Sequence, residues 1–208
     1  MEVLVVIAGI VVLAALFLPA FAASERKAQR IHCLNNLVQI GLATRVWEGD
    51  HFNHPPMQAS ETNNGTIELL SADIPASQLV LWNFLVMSNE LTTPYILHCP
   101  SDERTTAVKD FNSGFGNTNI SYFVNPAGSE DNPQMIFTGD DNLATNGTPV
   151  SSGLLNLTTN TTVTWTADCH YRSGNIGLAD GSVQQVREDT LQHALQPSGT
   201  NTTRLAIP

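Results

Sequence analysis

Basic residues are scarce in this chain: nine Lys plus Arg stand against nineteen Asp plus Glu, for a formal net charge of −10. That balance disfavours nucleic acid and anionic membrane as electrostatic partners of the polar part. Cysteine is nearly absent. Cys33, Cys99 and Cys169 allow at most one intramolecular disulfide and leave one thiol over, and the residues alone keep both Cys33 with Cys99 and Cys99 with Cys169 open. No CxxC or HxxxH spacing occurs. A zinc site would have to be drawn from His98, Cys99, Cys169 and His170, and adjacent residues of a strand point to opposite faces, so zinc is the weaker reading. No serine stands in an elbow or beside an oxyanion motif. Pairing His170 with Asp168 or Asp180, and with Ser101 or Ser173 as nucleophile, is therefore a minor reading, and the chain is not expected to be an enzyme.

What is abundant is apolar sequence at the front. Val3 to Ala23 is a run of 21 residues without a charge, long enough at about 1.5 Å per residue to cross a hydrocarbon core of about 30 Å. No basic residue precedes it, and the helical pattern continues past the small residues at Ala23, so a cleavable signal peptide explains less than a span does. Glu2 stands at its start, where a carboxylate must find a partner or neutralise. Pro19 removes one helical hydrogen bond and is expected to kink or locally melt the helix. Beyond it, Ile31, Leu34, Val38, Leu42 and Val46 recur at steps of three and four, an amphipathic stripe expected to lie under the rest of the chain. The reading is one helix over residues 1–48, an apolar span at 3–23 and an amphipathic half at 24–48, followed by a globular head over 49–208.

This opening resembles the N-terminus of type IV pilins and type II secretion pseudopilins. In that family a glutamate stands near the start of the mature chain, usually with three residues between it and the cut, an apolar run follows, and a proline lies seventeen residues after the glutamate, the separation of Glu2 and Pro19. The family has a short basic leader and a glycine at the cleavage site. Met1 alone precedes Glu2 here, and the expectation is a chain incomplete at its N-terminus. Arg26, Lys27 and Arg30 after the span would by the positive-inside rule hold the C-terminal part in the cytoplasm, whereas the family's head faces outward; a missing basic leader reconciles the two. The resemblance also implies a disulfide between Cys33 and Cys99, because relatives carry cysteines in the segments matching CLNNLVQIGLA and CPSD.

In the head, Gly49 and Pro55-Pro56 end the helix, and SQLVLWNFLVMSNEL reads as a short helix or a buried strand. TPYILHC is expected as a strand ending at Cys99, NISYFV as another, and Met135 to Thr138 as a third. Asp140, Asp141 and Asn142 are weak calcium candidates in a polar loop. Six Asn-X-Ser/Thr sequons, at Asn64, Asn119, Asn146, Asn156, Asn160 and Asn201, would matter only in a glycosylating secretory pathway. Near the C-terminus, Ser173-Gly174 and Asp180-Gly181 read as two-residue turns of a three-stranded meander over 163–187. Its expected register sets Leu178 opposite Val183 and His170 opposite Gly177. Trp165, Ala167, Cys169, Tyr171, Ile176, Leu178 and Val183 would then face the helix.

His170, nine residues, then Asp180-Gly181 matches the H-X9-DG signature of a group of prepilin-like proteins, and NNLVQIGLA, CPSD, NISYFVNP and GNIGLADGSVQQV look like the same group. The resemblance implies an α+β, type IV pilin-like fold, a long N-terminal helix packed on an antiparallel sheet, with His170, Asp180 and Gly181 structural and Glu2 and Pro19 serving assembly. It implies a filament subunit with copies of itself as partners, cut by a prepilin peptidase, methylated at the new N-terminus and handled by inner-membrane assembly machinery. The chain would rest in the inner membrane and then in a surface or periplasmic filament, with no cofactor and no nucleic-acid partner. The other readings are a membrane-anchored binding protein that never polymerises and a secreted hydrolase using His170.

Overall fold

The computed structural model describes residues 2–71, 75, 77–112, 114–195 and 202–208. The apolar run and the segment after it form one helix, α1 (Glu2–Asp50), which at about 1.5 Å per residue is about 74 Å long. It runs across position 19 as a single element, so the expected local melting is not seen. Its first half is bare, with large apolar side chains from Val3 to Phe21 exposed. Phe52 and Asn53, both at positive φ, turn the chain away after its last turn.

The second half of α1 is apolar on two faces, and the head covers the face that was not expected. Cys33, Leu37, Ile40, Ala43 and Trp47 are buried, at helical steps of four, three, three and four. Ile31, Val38, Leu42 and Val46 stay on the outside, Leu42 at 62% and Val46 at 52% exposure, with Leu34 half-buried at the edge. The buried stripe wins because its small members, Cys33 and Ala43, admit close approach and its largest member, Trp47, fills the gap at the end.

SQLVLWNFLVMSNEL resolves into two helices, α2 (Ser77–Val86) and α3 (Ser88–Leu91). TPYILHC is not a strand. Pro94 follows a Thr93 cap whose hydroxyl accepts from the Tyr95 amide, and Pro94–Leu97 winds into a 3-10 turn. The strands are β1 (Tyr122–Val124), β2 (Ile136–Asp140), β3 (Leu143–Thr145), β4 (Thr148–Pro149), β5 (Gly153–Thr158), β6 (Val163–Trp165), β7 (Ser173–Leu178) and β8 (Val183–Arg187). Helix α4 (Glu188–Leu195) and strand β9 (Thr202–Ile207) complete the chain. Six strands make an antiparallel sheet in the order β5-β9-β1-β2-β7-β8, and three make a second sheet, β4-β3-β6. The layout is α+β, as expected.

The large sheet is buried on both faces. On one, α1, α2 and α3 meet Tyr122, Val124, Phe137 and Ala206. On the other, the small sheet and α4 meet Phe123, Ile136, Ile176, Leu178 and Leu205. Residues 163–187 are therefore not a three-stranded meander: β6 pairs with β3, and β7 pairs with β2 and β8. The reason lies at Gly174, where a Cβ would meet the Trp165 ring at 2.6 Å. Trp165 lies across β7 from the neighbouring layer and does not run beside it. The expected apolar face divides accordingly. Cys169 faces the helix cluster, Trp165, Ile176 and Leu178 face away from it, and Tyr171 is exposed.

The Asp180-Gly181 turn is real but one residue longer than expected. Val183 pairs with Gly177, Gly181 N donates to Leu178 O, and Leu178 N donates to Ser182 O, with Gly181 at φ +80. This is a three-residue loop with a glycine bulge. A Cβ on Gly181 would also meet the Arg45 guanidinium at 2.6 Å. Gly181→Ala is expected to cost about 1–3 kcal/mol, from the positive φ and the displaced arginine; a chemical denaturation midpoint equal to wild type would refute this account of the turn.

Candidate functional site: the long helix and its attachment to the head

The bare half of α1 is the most conspicuous surface of the molecule. By length and composition it can cross a membrane, a test that a signal sequence or a soluble core helix also passes, and none of its apolar window is buried against the head. Glu2 lies in the first turn, where the helix dipole favours a carboxylate. Pro19 has no amide hydrogen to donate to Ala15 O, one missing bond within the apolar run. The exposed stripe from Ile31 to Val46 extends this surface down the side of the head.

Besides the packed stripe and buried Asn36, whose Nδ2 donates to His98 O at 2.9 Å and to Tyr122 Oη at 3.2 Å, three attachments tie α1 to the segments around the disulfide and β7. The first is covalent: Cys33 and Cys99 form a disulfide across a sequence separation of 66. It is the bridge implied by the resemblance. In the chain-entropy picture it contributes about 4 kcal/mol by restricting the unfolded chain. The second is Arg30, whose Nη2 donates to His170 O at 2.7 Å and to Ser173 Oγ at 2.6 Å. The third is Arg45, which lies on Gly181, donates to Ala179 O at 3.4 Å and pairs with Glu130 at 2.9 Å. Arg30 and Arg45 are about 22 Å apart along the helix. The H-X9-DG interval thus brackets β7, with His170 in the turn before it, Asp180-Gly181 in the loop after it, and an arginine of α1 at each end.

His170 does not lie over Gly177. It is buried behind the disulfide, Nε2 at 3.4 Å from Cys99 Sγ and 3.4 Å from Asp140 Oδ2. Burial drives both groups toward their neutral forms, Asp140 up to about 8 and His170 down to about 4, so their contact is not an ion pair at neutral pH. Asp140 Oδ2 also accepts from Asn175 N at 2.7 Å and from Asn175 Nδ2 at 3.0 Å. Asp180 is in the exposed turn and accepts from the amide and hydroxyl of Ser182, whose hydrogen bonds hold its carboxyl below the usual range. Ser173 Oγ donates to His170 O, not to its ring, and Ser101 is directed at Gln29. The geometry does not assemble His170, Asp168 or Asp180 and a serine into one acid–base unit.

Asp140, Asp141 and Asn142 are buried rather than looped out, and they turn to different partners. Asp140 binds Asn175, Asp141 pairs with Arg104, and Asn142 donates to Thr166 O and Ser173 O. Successive side chains of an extended segment diverge, so the three are not gathered as calcium ligands. Arg104 also binds both oxygens of Asp102 in the CPSD segment, at 2.8 and 3.0 Å, so one exposed arginine between two buried aspartates joins that segment to the end of β2. Sequence reasoning missed this group and both α1 arginines; their only signal was the rarity of basic residues. The expected zinc set changes as well. His98 turns to Thr105, and the ligand atoms that converge belong to Cys33, Cys99 and His170, two of them already bonded to each other. Of the sequons, Asn119 is buried and donates to Thr106, while Asn201 lies outside the described residues.

The shifted groups set a pH dependence. The fold favours protonated Asp140, so that contribution is present below the ordinary value of 3.8 and is lost as pH rises through about 8. Asp141, raised to about 6, and Glu48, raised to about 7, act in the same direction, each mainly through burial. Neutral His170 contributes above 6.5 and loses that contribution as pH falls through about 4. Asp140→Asn keeps an acceptor for Asn175 and is expected to flatten the loss of melting temperature between about pH 4 and about pH 8. Parallel melting curves for variant and wild type across a pH series would contradict it.

Comparison of the chain with family models, with curated proteins and with solved structures returns no match.

Proposed function

We propose that this chain is the structural subunit of a filament of the type IV pilus or type II secretion pseudopilus kind, assembled through α1. The observation that carries the reading is the second apolar stripe. Ile31, Val38, Leu42 and Val46 are exposed, continue the bare span, and lie on a helix already fixed to its own head by a different face. A membrane anchor alone calls for the span and not for an apolar flank beyond it. Neighbouring copies of α1 would cover both, with the heads outside. Glu2 would then sit in dry surroundings, where pairing with the N-terminal amine of an adjacent copy would set axial register. The missing bond at Pro19 would let the helix bend or stretch on leaving the membrane. A prepilin peptidase, N-terminal methylation and inner-membrane assembly machinery belong to this proposal, as does passage from inner membrane to surface or periplasm.

The second reading, a membrane-anchored binding protein that does not polymerise, draws on a cleft of about 530 Å³ lined by Trp47, His51, Glu61, Trp82 and Glu90. It requires a monomer in detergent that is indifferent to changes in α1.

Leu42→Glu and Glu2→Ala are each expected to leave the head within about 0.5 kcal/mol of wild type, as exposed positions do, while filament yield falls severely. Trp47→Ala, on the buried stripe, is expected to cost about 3–5 kcal/mol of stability. Wild-type filament yield from Leu42→Glu and Glu2→Ala together would overturn the proposal.

A further inference from the structure

Cys169 is the one free cysteine, and it is buried in the core cluster beneath α1. Its Sγ lies 3.5 Å from Cys99 Sγ, and both residues are buried. Cys99 therefore has three neighbours around one sulfur: Cys33, bonded to it, then Cys169, and His170 Nε2 at 3.4 Å.

We propose that Cys99 is a sulfur with two alternative partners, and that the Cys169 thiol displaces Cys33 in an internal thiol–disulfide exchange, moving the cross-link from α1 to the segment just ahead of β7. The step is redox-neutral. Cys169 gives its proton to a solvent base, and its thiolate attacks Cys99 Sγ. The Cys99–Cys169 bond forms as Cys33–Cys99 breaks, and the electron pair leaves with Cys33 Sγ, which takes up a proton. No oxidant or reductant is consumed. Solvent reaches the reacting group through a cleft of about 500 Å³ lined by Arg26, Arg30, Pro100, Cys169 and His170. The head keeps an equivalent staple, since the sequence separation changes only from 66 to 70. What changes is α1, which is left attached by packing and by the hydrogen bonds of Arg30, Asn36 and Arg45.

The surroundings hold the exchange slow. Burial comes first, and then the carboxyls of Asp140, Asp102 and Asp141, against the Arg104 guanidinium, push the Cys169 thiol far above its usual range. Tyr122 from β1 interacts with the thiol from the sheet side, His170 follows it in the chain, and Arg26, Arg30 and Asp168 line the cleft in front of it. The attacking thiolate is scarce at neutral pH and grows with pH, and the rate follows. The exchange is independent of filament assembly and is tested separately.

The test is disulfide mapping of the folded full-length chain in detergent. Wild type is incubated at neutral and at alkaline pH, quenched with acid, alkylated, and its bridged peptides are identified by mass spectrometry without reduction. The expected result is a Cys99–Cys169 peptide accompanied by alkylated Cys33, in a fraction that rises with pH and vanishes in Cys169→Ala. Cys33→Ser, oxidised with glutathione disulfide, is expected to carry the Cys99–Cys169 bridge and to melt above the Cys33→Ser/Cys99→Ser double variant, whose single thiol can form no intramolecular bridge. Wild type that shows only Cys33–Cys99 at every pH, with two alkylatable thiols in natively folded Cys33→Ser, would overturn the exchange. If Cys33→Ser does not fold, the wild-type map alone decides.

Discussion

The head grips α1 on one face only, and the rest of the structure depends on that. Cys33, Leu37, Ile40, Ala43 and Trp47 enter the core, and the Cys33–Cys99 bond fixes which way the helix is rotated about its own axis. A rotation of about 100° per residue separates adjacent positions, so binding one stripe necessarily turns the other outward. The exposed aliphatics of residues 31–46 follow from that choice. An apolar flank of this kind on an isolated soluble chain would be an aggregation liability, and its continuity with the apolar run gives it a place in the proposed assembly.

The same grip explains why β7 is the organising strand of the head. It lies between β2 and β8, its N-terminal end is held by Arg30 through His170 and Ser173, and its C-terminal end by Arg45 at the glycine turn. His170 closes one side of the disulfide, and Asp140, one strand away, backs the imidazole. A chain with only nine basic residues places two of them as clamps and a third, Arg104, between two buried aspartates. The motif residues are therefore tied to the helix by position, not by shared chemistry.

Much of this was legible in the residues, where local chemistry decides. The length of α1, the strand after Ile120, the glycine turn at 180–181 and the α+β layout follow from uncharged length, alternation and backbone permissiveness. The buried stripe was not legible, because helical periodicity offered two and the aliphatic one looked the better core; Trp47 and two small residues matched the head's shape instead. TPYILHC reads as a strand by composition, but Pro94 behind a threonine cap starts a helical turn. Pairing β6 with β3 rather than β7 is a non-local outcome, decided by Trp165 lying on Gly174, which no window around residue 174 reveals. The Asp140 to His170 contact joins the end of β2 to the turn ahead of β7 and had no sequence signature.

The most direct measurement is helical reconstruction by electron microscopy of filaments sheared from cells expressing this chain, with mass spectrometry of its N-terminus. The account predicts filaments with α1 bundled at the centre, Ile31, Val38, Leu42 and Val46 against a neighbouring copy, and an N-terminus processed close to Glu2. A monomer whose chain begins after Ala23, with no filaments, would contradict it and return the apolar run to the role of a signal peptide.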